Sequence, residues 1–440
     1  MPEPLRVGLA GLGTVGSAVA AMLARSRVLL VERAGRPIEV VAFASKDPPK
    51  DASLDLSRMR EVRDPVALAR DGALDVFVEL IGGEGDPAKS SVEAALGIGR
   101  SVVTANKALL ARHGAALARL AEKHDAALCF EAAVAGGIPI VKTLREGLGG
   151  SRIARVYGIL NGTCNYILTR MHKERLSFAA CLKEAQQLGY AEADPTFDIG
   201  GFDTAHKIAI LTSLAFGTEV DADAVHVEGI ESISLADLEA ADELGYRVKL
   251  LGVAHRTEAG IEQRVHPTMV KQGSVIGEVD GVTNAVAIDA DTMELTLMGP
   301  GAGGKATASA VVADLMDLAA GRRVLSFGRP ASTLIRAQRA PMQRHEGGYY
   351  IRLAVIDRPG TAATIARRMA EQTISLESIV QRGRDRRPHG GEDPRSADQP
   401  APVALITYAT TEDAVRRALT AIEQDGVLVE KPQVIRIEKS

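Results

Sequence analysis

Tryptophan is absent from this chain of 440 residues and aromatics make up only 3% of it, so its cores must be built from Ala, Leu, Val and Ile. So few rings leave little on which single-stranded bases could stack. A formal net charge of −4 removes any general attraction to nucleic acid or to an anionic membrane. Cysteine is scarce as well. Cys129, Cys164 and Cys181 are widely spaced and odd in number, with no Cys-x-x-Cys pair and no Cys/His cluster at zinc-ligand spacing. Buried free thiols in a reducing compartment are the natural reading. No apolar run approaches the ~20 residues of a membrane span. The opening MPEPLRVGLAGLG has no basic segment followed by an apolar stretch of signal length. A soluble, cytoplasmic protein is expected, with neither nucleic acid nor membrane as partner.

At this length two to four domains are expected, at roughly 100–200 residues each. The first begins with LRVGLAGLGTVGSAVAAMLARS, an apolar strand, a glycine turn and a helix. Its Gly11-Leu12-Gly13-Thr14-Val15-Gly16 turn has the spacing of a dinucleotide cradle. The first glycine permits the bend, the second lets backbone approach a pyrophosphate, and the third lets helix and strand pack closely. The next strand, IEVVAFAS, ends in Ala44-Ser45-Lys46, where an Asp or Glu would accept from a ribose hydroxyl. Lys46 can instead meet a 2′-phosphate, so NADP is slightly favoured over NAD, with a solvated loop lysine as the rival reading. Further strands are expected at LDVFVELIGG (74–83), SVVTANK (101–107) and AALCFEAAVAGGIP (126–139), separated by Ala-rich helices. Such alternation predicts a parallel sheet covered on both faces, with its ligand beyond the carboxyl ends of the strands. Lys107, closing one such strand, is then either near the nicotinamide and its substrate or a surface lysine at a helix start.

From about residue 140 the pattern changes to SRIARVYGILNGTCNYILTRM, a strand ending in Asn161-Gly162-Thr163 and then a helix. LGYAEADPTFDIGGFDTAHKIAIL follows, setting Glu192, Asp194, Asp198, Asp203, His206 and Lys207 just ahead of an apolar run. A loop to Gly201 and a helix from about Phe202 are expected. Asp203 and Lys207, at i and i+4, share a helix face that continues into Ile208 and Leu211, so the pair should point inward. On a surface such a pair contributes only ~0.2–0.5 kcal/mol. In a cleft, burial shifts pKa values and fits a lysine for proton exchange. Asp194 and Asp198 read as loop-organising residues, and His206 as a packing or solvent-facing neighbour. His266 reads as a strand-end histidine more than as a cleft residue, and Cys164, with no evident base, as packing.

These motifs together carry a resemblance. GLGTVG, TANKALL, EAAVAGGIP, NGTCNYIL, LGYAEADPTFDIGGFDTAHK and GPGAGG occur in the order found in homoserine dehydrogenases, over nearly the whole chain. The layout resembles the monofunctional enzyme with a C-terminal ACT domain. The resemblance implies reversible NAD(P)-dependent interconversion of L-homoserine and L-aspartate 4-semialdehyde, on the route to threonine, methionine and isoleucine. It implies Lys207 as the acid/base residue, Asp203 as a substrate-orienting neighbour, Glu192 as partner of the substrate ammonium, and Lys107 beside both nicotinamide and reacting oxygen. Gly303, in MGPGAGGKAT, matches a family glycine close to the cofactor. A monovalent cation, usually sodium, is implied at Glu131, Val134, Gly136 and Ile138, held chiefly by backbone carbonyls. The residue types suit the chemistry on their own terms: acids for an ammonium, a buried lysine for an alkoxide, and the Asn161-Gly162-Thr163 N–H groups for a carboxylate.

The expected architecture is an α/β Rossmann-type domain over 1–140, joined by 300–321, and an α+β substrate-binding, catalytic and dimerisation domain over 141–321. A linker, 322–347, precedes a ferredoxin-like βαββαβ (ACT) domain over 348–440, with DRPG before its first helix and a polar loop at 384–401. By resemblance this module senses L-threonine; the alternative is an oligomerisation unit with no ligand. A homodimer or homotetramer is expected. Two other readings stay open. An oxidoreductase for a different amino-acid aldehyde or imine has no reason to keep Glu192, Asp203 and Lys207 together. A non-catalytic amino-acid sensor has no need of Lys107 or Lys207.

Overall fold

The computed structural model describes residues 2–356, 358–381 and 400–438. Asp357 of the DRPG loop and most of the insertion expected at 384–401 lie outside the described residues. The first six strands are β1 (Leu5–Ala10), β2 (Ile38–Ala44), β3 (Arg60–Glu61), β4 (Val76–Glu79), β5 (Ser101–Thr104) and β6 (Leu128–Cys129). They form one sheet in the order β3-β2-β1-β4-β5-β6, and every pairing in it is parallel. Strands such as VFVE are buried on both faces, as a sheet covered twice requires. With β2 on one side of β1 and β4 on the other, the winding reverses there and a crevice opens beyond their carboxyl ends. The Gly304–Ala319 helix returns from far along the chain to pack beside the Thr14–Arg25 helix, where Val19, Leu23, Val311 and Leu315 share one apolar cluster.

Three expected strands are shorter than their composition suggested: of LDVFVELIGG only Val76–Glu79 is strand. SVVT ends at Thr104, and Lys107 opens the Lys107–Lys123 helix, because the Asn106 side chain caps it by accepting from the Leu109 N–H. Of AALCFEAAVAGGIP only Leu128–Cys129 is strand. A 3-10 turn, Glu131–Ala133, follows, and the Glu131 carboxylate accepts from the Val141 and Lys142 N–H groups instead of leaving its segment to a sheet ladder.

The remaining strands are β7 (Ile153–Ile159), β8 (His226–Val227), β9 (Tyr246–Thr257), β10 (Gly260–Lys271), β11 (Thr283–Ala290), β12 (Glu294–Pro300), β13 (Glu346–Ile356), β14 (Leu376–Gln381), β15 (Pro400–Thr407), β16 (Thr410–Thr411) and β17 (Gln433–Ile437). They make a second, mixed sheet ordered β12-β11-β7-β9-β10-β17-β13-β15-β14, with β8 beside β10 and β16 beside β13. The Phe202–Phe216 helix lies across β7, β9 and β10. It approaches closely at Gly252, where a Cβ would stand 2.9 Å from Thr204 Cγ2.

The carboxyl-terminal elements run β13, helix Thr361–Glu371, β14, β15, the two-residue β16, helix Glu412–Gln424, β17. Tyr349, Ile351 and Leu353 bury one face of that part of the sheet under the two helices. On the other face Arg352 Nε donates at 2.7 Å to Asp237 of the Leu235–Glu243 helix. Strand β17 pairs antiparallel with β13 and parallel with β10, so this unit shares a sheet with the one before it. Cys129, Cys164 and Cys181 are buried free thiols. No single helix among the described residues is long and apolar enough to cross a membrane.

Candidate active site

Glycines shape the crevice beyond β1. Gly11 holds a left-handed φ of +103°, and a Cβ there would lie 2.6 Å from the Leu80 carbonyl oxygen. At Gly16 a Cβ would overlap the Gly11 carbonyl oxygen, whereas Gly13 faces open space. The Thr14–Arg25 helix starts from Gly13 with no side-chain cap and no acid in its first turn, so its leading N–H groups are offered to the crevice. The Gly304–Ala319 helix starts likewise, uncapped, from Gly303. Gly304 abuts Thr14, its Cβ position 2.9 Å from the Thr14 carbonyl oxygen. Two bare helix starts thus meet, and an anion between them gains from both. At the tip of β2, Ser45 Oγ donates to the Asp47 carbonyl at 2.7 Å, and Lys46 beside it is exposed. The facing wall is set by buried Glu79, whose carboxylate accepts from the Ile81 and Gly82 N–H groups and from Thr104 Oγ1.

Across the cleft, Asp203 is 4% exposed and surrounded by donors. Lys207 Nζ donates to Asp203 Oδ2 and to the Leu160 carbonyl, both at 2.7 Å. Lys107 Nζ, from the parallel-sheet unit, lies 3.0 Å from Asp203 Oδ1. Asn161 Nδ2 donates to Asp203 Oδ2 and to Asp198 Oδ1, both at 2.9 Å, while its Oδ1 caps the Gly162–Glu174 helix at the Cys164 N–H. Burial pushes the Asp203 carboxyl upward, but the Lys207 and Lys107 charges outweigh it and hold the group well below the usual carboxylate range. The Asp203 charge in turn holds Lys107 above the ordinary lysine range, against burial. Asp198 is pushed up, first by burial and then by its neighbour Asp203.

The structure therefore brings Lys107, Asp203 and Lys207 together. Glu192 is exposed at the rim, near enough for its charge to act on Lys107. Asp194 accepts from the Thr196 N–H in the loop, as expected. Asp198 and Asn161 turn their side chains into the cleft, a role that reading them as loop and turn residues missed. An Asn between a strand and a helix is a readable cap signal that would have placed Asn161. Asp198 depends on the short Thr196–Ile199 helix, too brief for any periodicity to announce. His206 is half-buried with its ring edge on Phe197, centroids 5.2 Å apart. His266 lies within β10 and not at a strand end: it is wholly buried, Arg264 Nε donates to its Nε2 at 3.1 Å, and its Nδ1 is 3.0 Å from the Pro267 carbonyl oxygen. Cys164 Sγ packs 3.2 Å from the Asp198 carbonyl oxygen, and burial pushes its thiol up.

Glu131, Val134, Gly136 and Ile138 lie on one tight loop. Ala135 and Gly136 both take left-handed φ, +56° and +55°, and a Cβ on Gly136 would stand 2.5 Å from the Gly301 carbonyl oxygen. The Glu131 carboxylate accepts from the Val141 and Lys142 N–H groups, one on each oxygen. Among the described residues no group of three or more His, Cys, Asp or Glu side chains could hold a metal. An ion in this loop would be held by backbone oxygens, a donor set for a hard cation.

Anion-receiving helix starts at the switch point of a parallel sheet, with a lysine–carboxylate cluster across the same cleft, belong to the nicotinamide-dependent oxidoreductases. Comparison with known proteins narrows the class. Residues 11–131 match the family described as homoserine dehydrogenase, NAD binding domain, and residues 139–316 the family described as homoserine dehydrogenase. The chain is 44% identical to the homoserine dehydrogenase of Neisseria gonorrhoeae, over 99% of each chain. The crystal structure of a homoserine dehydrogenase from Thiobacillus denitrificans matches with a TM-score of 0.91 at 41% identity, over 99% of each chain. A hyperthermophilic archaeal homoserine dehydrogenase in complex with NADPH, 28% identical, matches with a TM-score of 0.61 over 73% of this chain and 100% of that one. The chain belongs to the homoserine dehydrogenase family, NAD(P)-dependent oxidoreductases whose substrates are homoserine and aspartate 4-semialdehyde.

Proposed function

We propose that Lys207 transfers the proton in the reversible oxidation of L-homoserine to L-aspartate 4-semialdehyde. One observation carries the reading: the Asp203 carboxylate sits between the Lys207 and Lys107 ammonium groups where the two units face each other. The nicotinamide cofactor, when bound, supplies the hydride donor or acceptor. In reduction the Lys207 ammonium gives a proton to the aldehyde oxygen as it becomes an alkoxide; in oxidation its neutral amine takes the hydroxyl proton. Asp203 and the Leu160 carbonyl hold Nζ in place for both directions. Lys107, kept charged by Asp203, stabilises negative charge on the same oxygen. Asp198 and Glu192 receive the substrate ammonium, and the Gly162 and Thr163 N–H groups its carboxylate.

Gly11, Leu12, Gly13, Thr14, Val15 and Gly16, with Gly303, receive the pyrophosphate, and Lys46 a 2′-phosphate, which favours NADP over NAD. The carbonyls of Glu131, Val134, Gly136 and Ile138 hold a monovalent cation, sodium by class, whose charge offsets their converging dipoles. The βαββαβ order of the carboxyl-terminal elements supports an ACT domain that binds L-threonine as feedback effector. The enzyme works in the cytoplasm as a homodimer or homotetramer, in the formation of threonine, methionine and isoleucine.

The test is nicotinamide reduction by L-homoserine with NAD and with NADP, for wild type and Lys207→Ala. Turnover in the variant should fall by about 10²–10⁴, while cofactor titration stays near wild type. A retained rate would remove Lys207 from proton transfer, and an NAD preference would remove Lys46 from phosphate binding.

A further inference from the structure

We infer that Glu228 and Arg436 are a positioning pair, through which the last strand of the second sheet holds the substrate loop in register with the catalytic carboxylates. The inference rests on the proposal that Asp198 receives substrate. Arg436, on β17, is 3% exposed. Its Nη1 and Nη2 donate to the two carboxylate oxygens of Glu228, both at 2.9 Å. Its Nε and Nη2 donate to Glu412 at 3.0 and 2.8 Å. Glu412, buried at the start of the Glu412–Gln424 helix, already balances the charge of Arg436 within the carboxyl-terminal unit. Glu228 is a second carboxylate, and it comes from the other unit.

What Glu228 is attached to gives the pair its consequence. Its own N–H donates to the Val265 carbonyl at 2.8 Å, and His226 Nε2 lies 2.7 Å from its Oε1. The next residue, Gly229, lies directly on the substrate loop. A Cβ there would overlap the Ile199 carbonyl and stand 2.8 Å from Gly200 Cα. The Ile230 N–H then donates to the Ile199 carbonyl at 2.9 Å. Residues 229–230 therefore support the carboxyl end of the short helix that carries Asp198, and Asp198 is tied through Asn161 to Asp203. Each step is a hydrogen bond or a backbone contact. Releasing the Glu228 carboxylate frees the segment on which Ile199 rests.

Other contacts between the two units end elsewhere: Arg352 reaches Asp237 on the Leu235–Glu243 helix, while Glu438 meets Arg155 on β7 and Arg264 on β10. A simple staple would affect stability alone. A positioning pair acts on substrate binding.

The experiment uses the full chain and measures homoserine oxidation at saturating cofactor for wild type, Glu228→Gln, Arg436→Lys, Asp198→Asn and the Glu228→Gln/Asp198→Asn double variant. Glu228→Gln keeps shape and removes charge, and thermal denaturation checks that each variant is folded. Glu228→Gln should raise the homoserine KM roughly two- to thirtyfold, with kcat, cofactor KM and Tm close to wild type. Arg436→Lys, which keeps the charge but not the two-point bond, should raise the homoserine KM less than Glu228→Gln does. In the Asp198→Asn background the Glu228 effect should vanish, because the group it positions is gone. A folded Glu228→Gln enzyme with wild-type homoserine KM would overturn the inference. So would equal rises in homoserine and cofactor KM, or an undiminished effect in the double variant. If Asp198→Asn alone leaves the homoserine KM unchanged, it is the reading of Asp198 that fails first, and the positioning pair with it.

Discussion

Two aspartates share one asparagine in this cleft, yet their environments drive them in opposite directions. Asp203 has an ammonium on each carboxylate oxygen and stays ionised far into acid. Because its folded-state pKa is lowered, it contributes stability that is fully present above the ordinary aspartate range and is lost as pH falls through the depressed value. Asp203→Asn would leave Lys107 and Lys207 facing one another without a counter-ion. It should cost about 3 kcal/mol at neutral pH, read from denaturant midpoints, together with turnover. Asp198 has burial and a like charge against it, so it takes up a proton above the ordinary aspartate range. The kcat/KM for homoserine should therefore fall on the acid side as Asp198 becomes neutral and loses its attraction for an ammonium. Asp198→Asn should raise KM and flatten that limb; an acid limb unchanged in the variant would assign it to another group.

Among the elements, the turn after β1 separates fold from function within six residues. Gly16→Ala places a methyl on the Gly11 carbonyl and should destabilise the protein by about 1–3 kcal/mol through overpacking. Gly13→Ala meets nothing in the protein, so Tm should hold while the cofactor KM rises, because the methyl enters the space offered to the pyrophosphate. Equal effects of the two on Tm would remove this distinction. The same turn was legible in the sequence because each glycine answers a separate steric demand. The Phe202–Phe216 helix was legible too, since an acid and a lysine one turn apart lead into an unbroken apolar face. The ends of β5 and β6 were not. Apolar composition reads alike in a buried strand and in the helix or turn that follows it, and here a side-chain cap from Asn106 and the Glu131 carboxylate decide. The Ala135-Gly136 turn shows a different limit: carbonyl groups are common to all residues, so a backbone cradle leaves no side-chain signature.

Over the whole molecule, strand and helix patterns were enough to anticipate a parallel-sheet α/β domain, an α+β domain after it and a carboxyl-terminal βαββαβ run. They could not reveal that the last of these strands joins both halves, since parallel pairing over a few residues has no sequence pattern of its own. That join bears on truncation. Removing residues after 347 strips β17 from Met269, which is fully buried, and Arg352 from Asp237, also fully buried. Such a chain should lose solubility and Tm. Arg352→Met in the full chain isolates one part of the effect, at about 1–3 kcal/mol, because the Asp237 carboxylate loses its counter-charge but keeps the Ser234 N–H and hydroxyl. Unchanged denaturation of either variant would show the join to be dispensable.

The placement of β17 also sets an order on biogenesis. It follows every other described strand in the chain, yet it lies between β10 and β13. A ribosome must deliver both neighbours before it delivers the strand that separates them. Between the emergence of β13 and that of β17, on the order of ten seconds at ordinary elongation rates, two strand edges stand open to the wrong partner. The nascent enzyme is then most exposed to mispairing at the close of its synthesis, when its nucleotide-binding sheet has long since been complete.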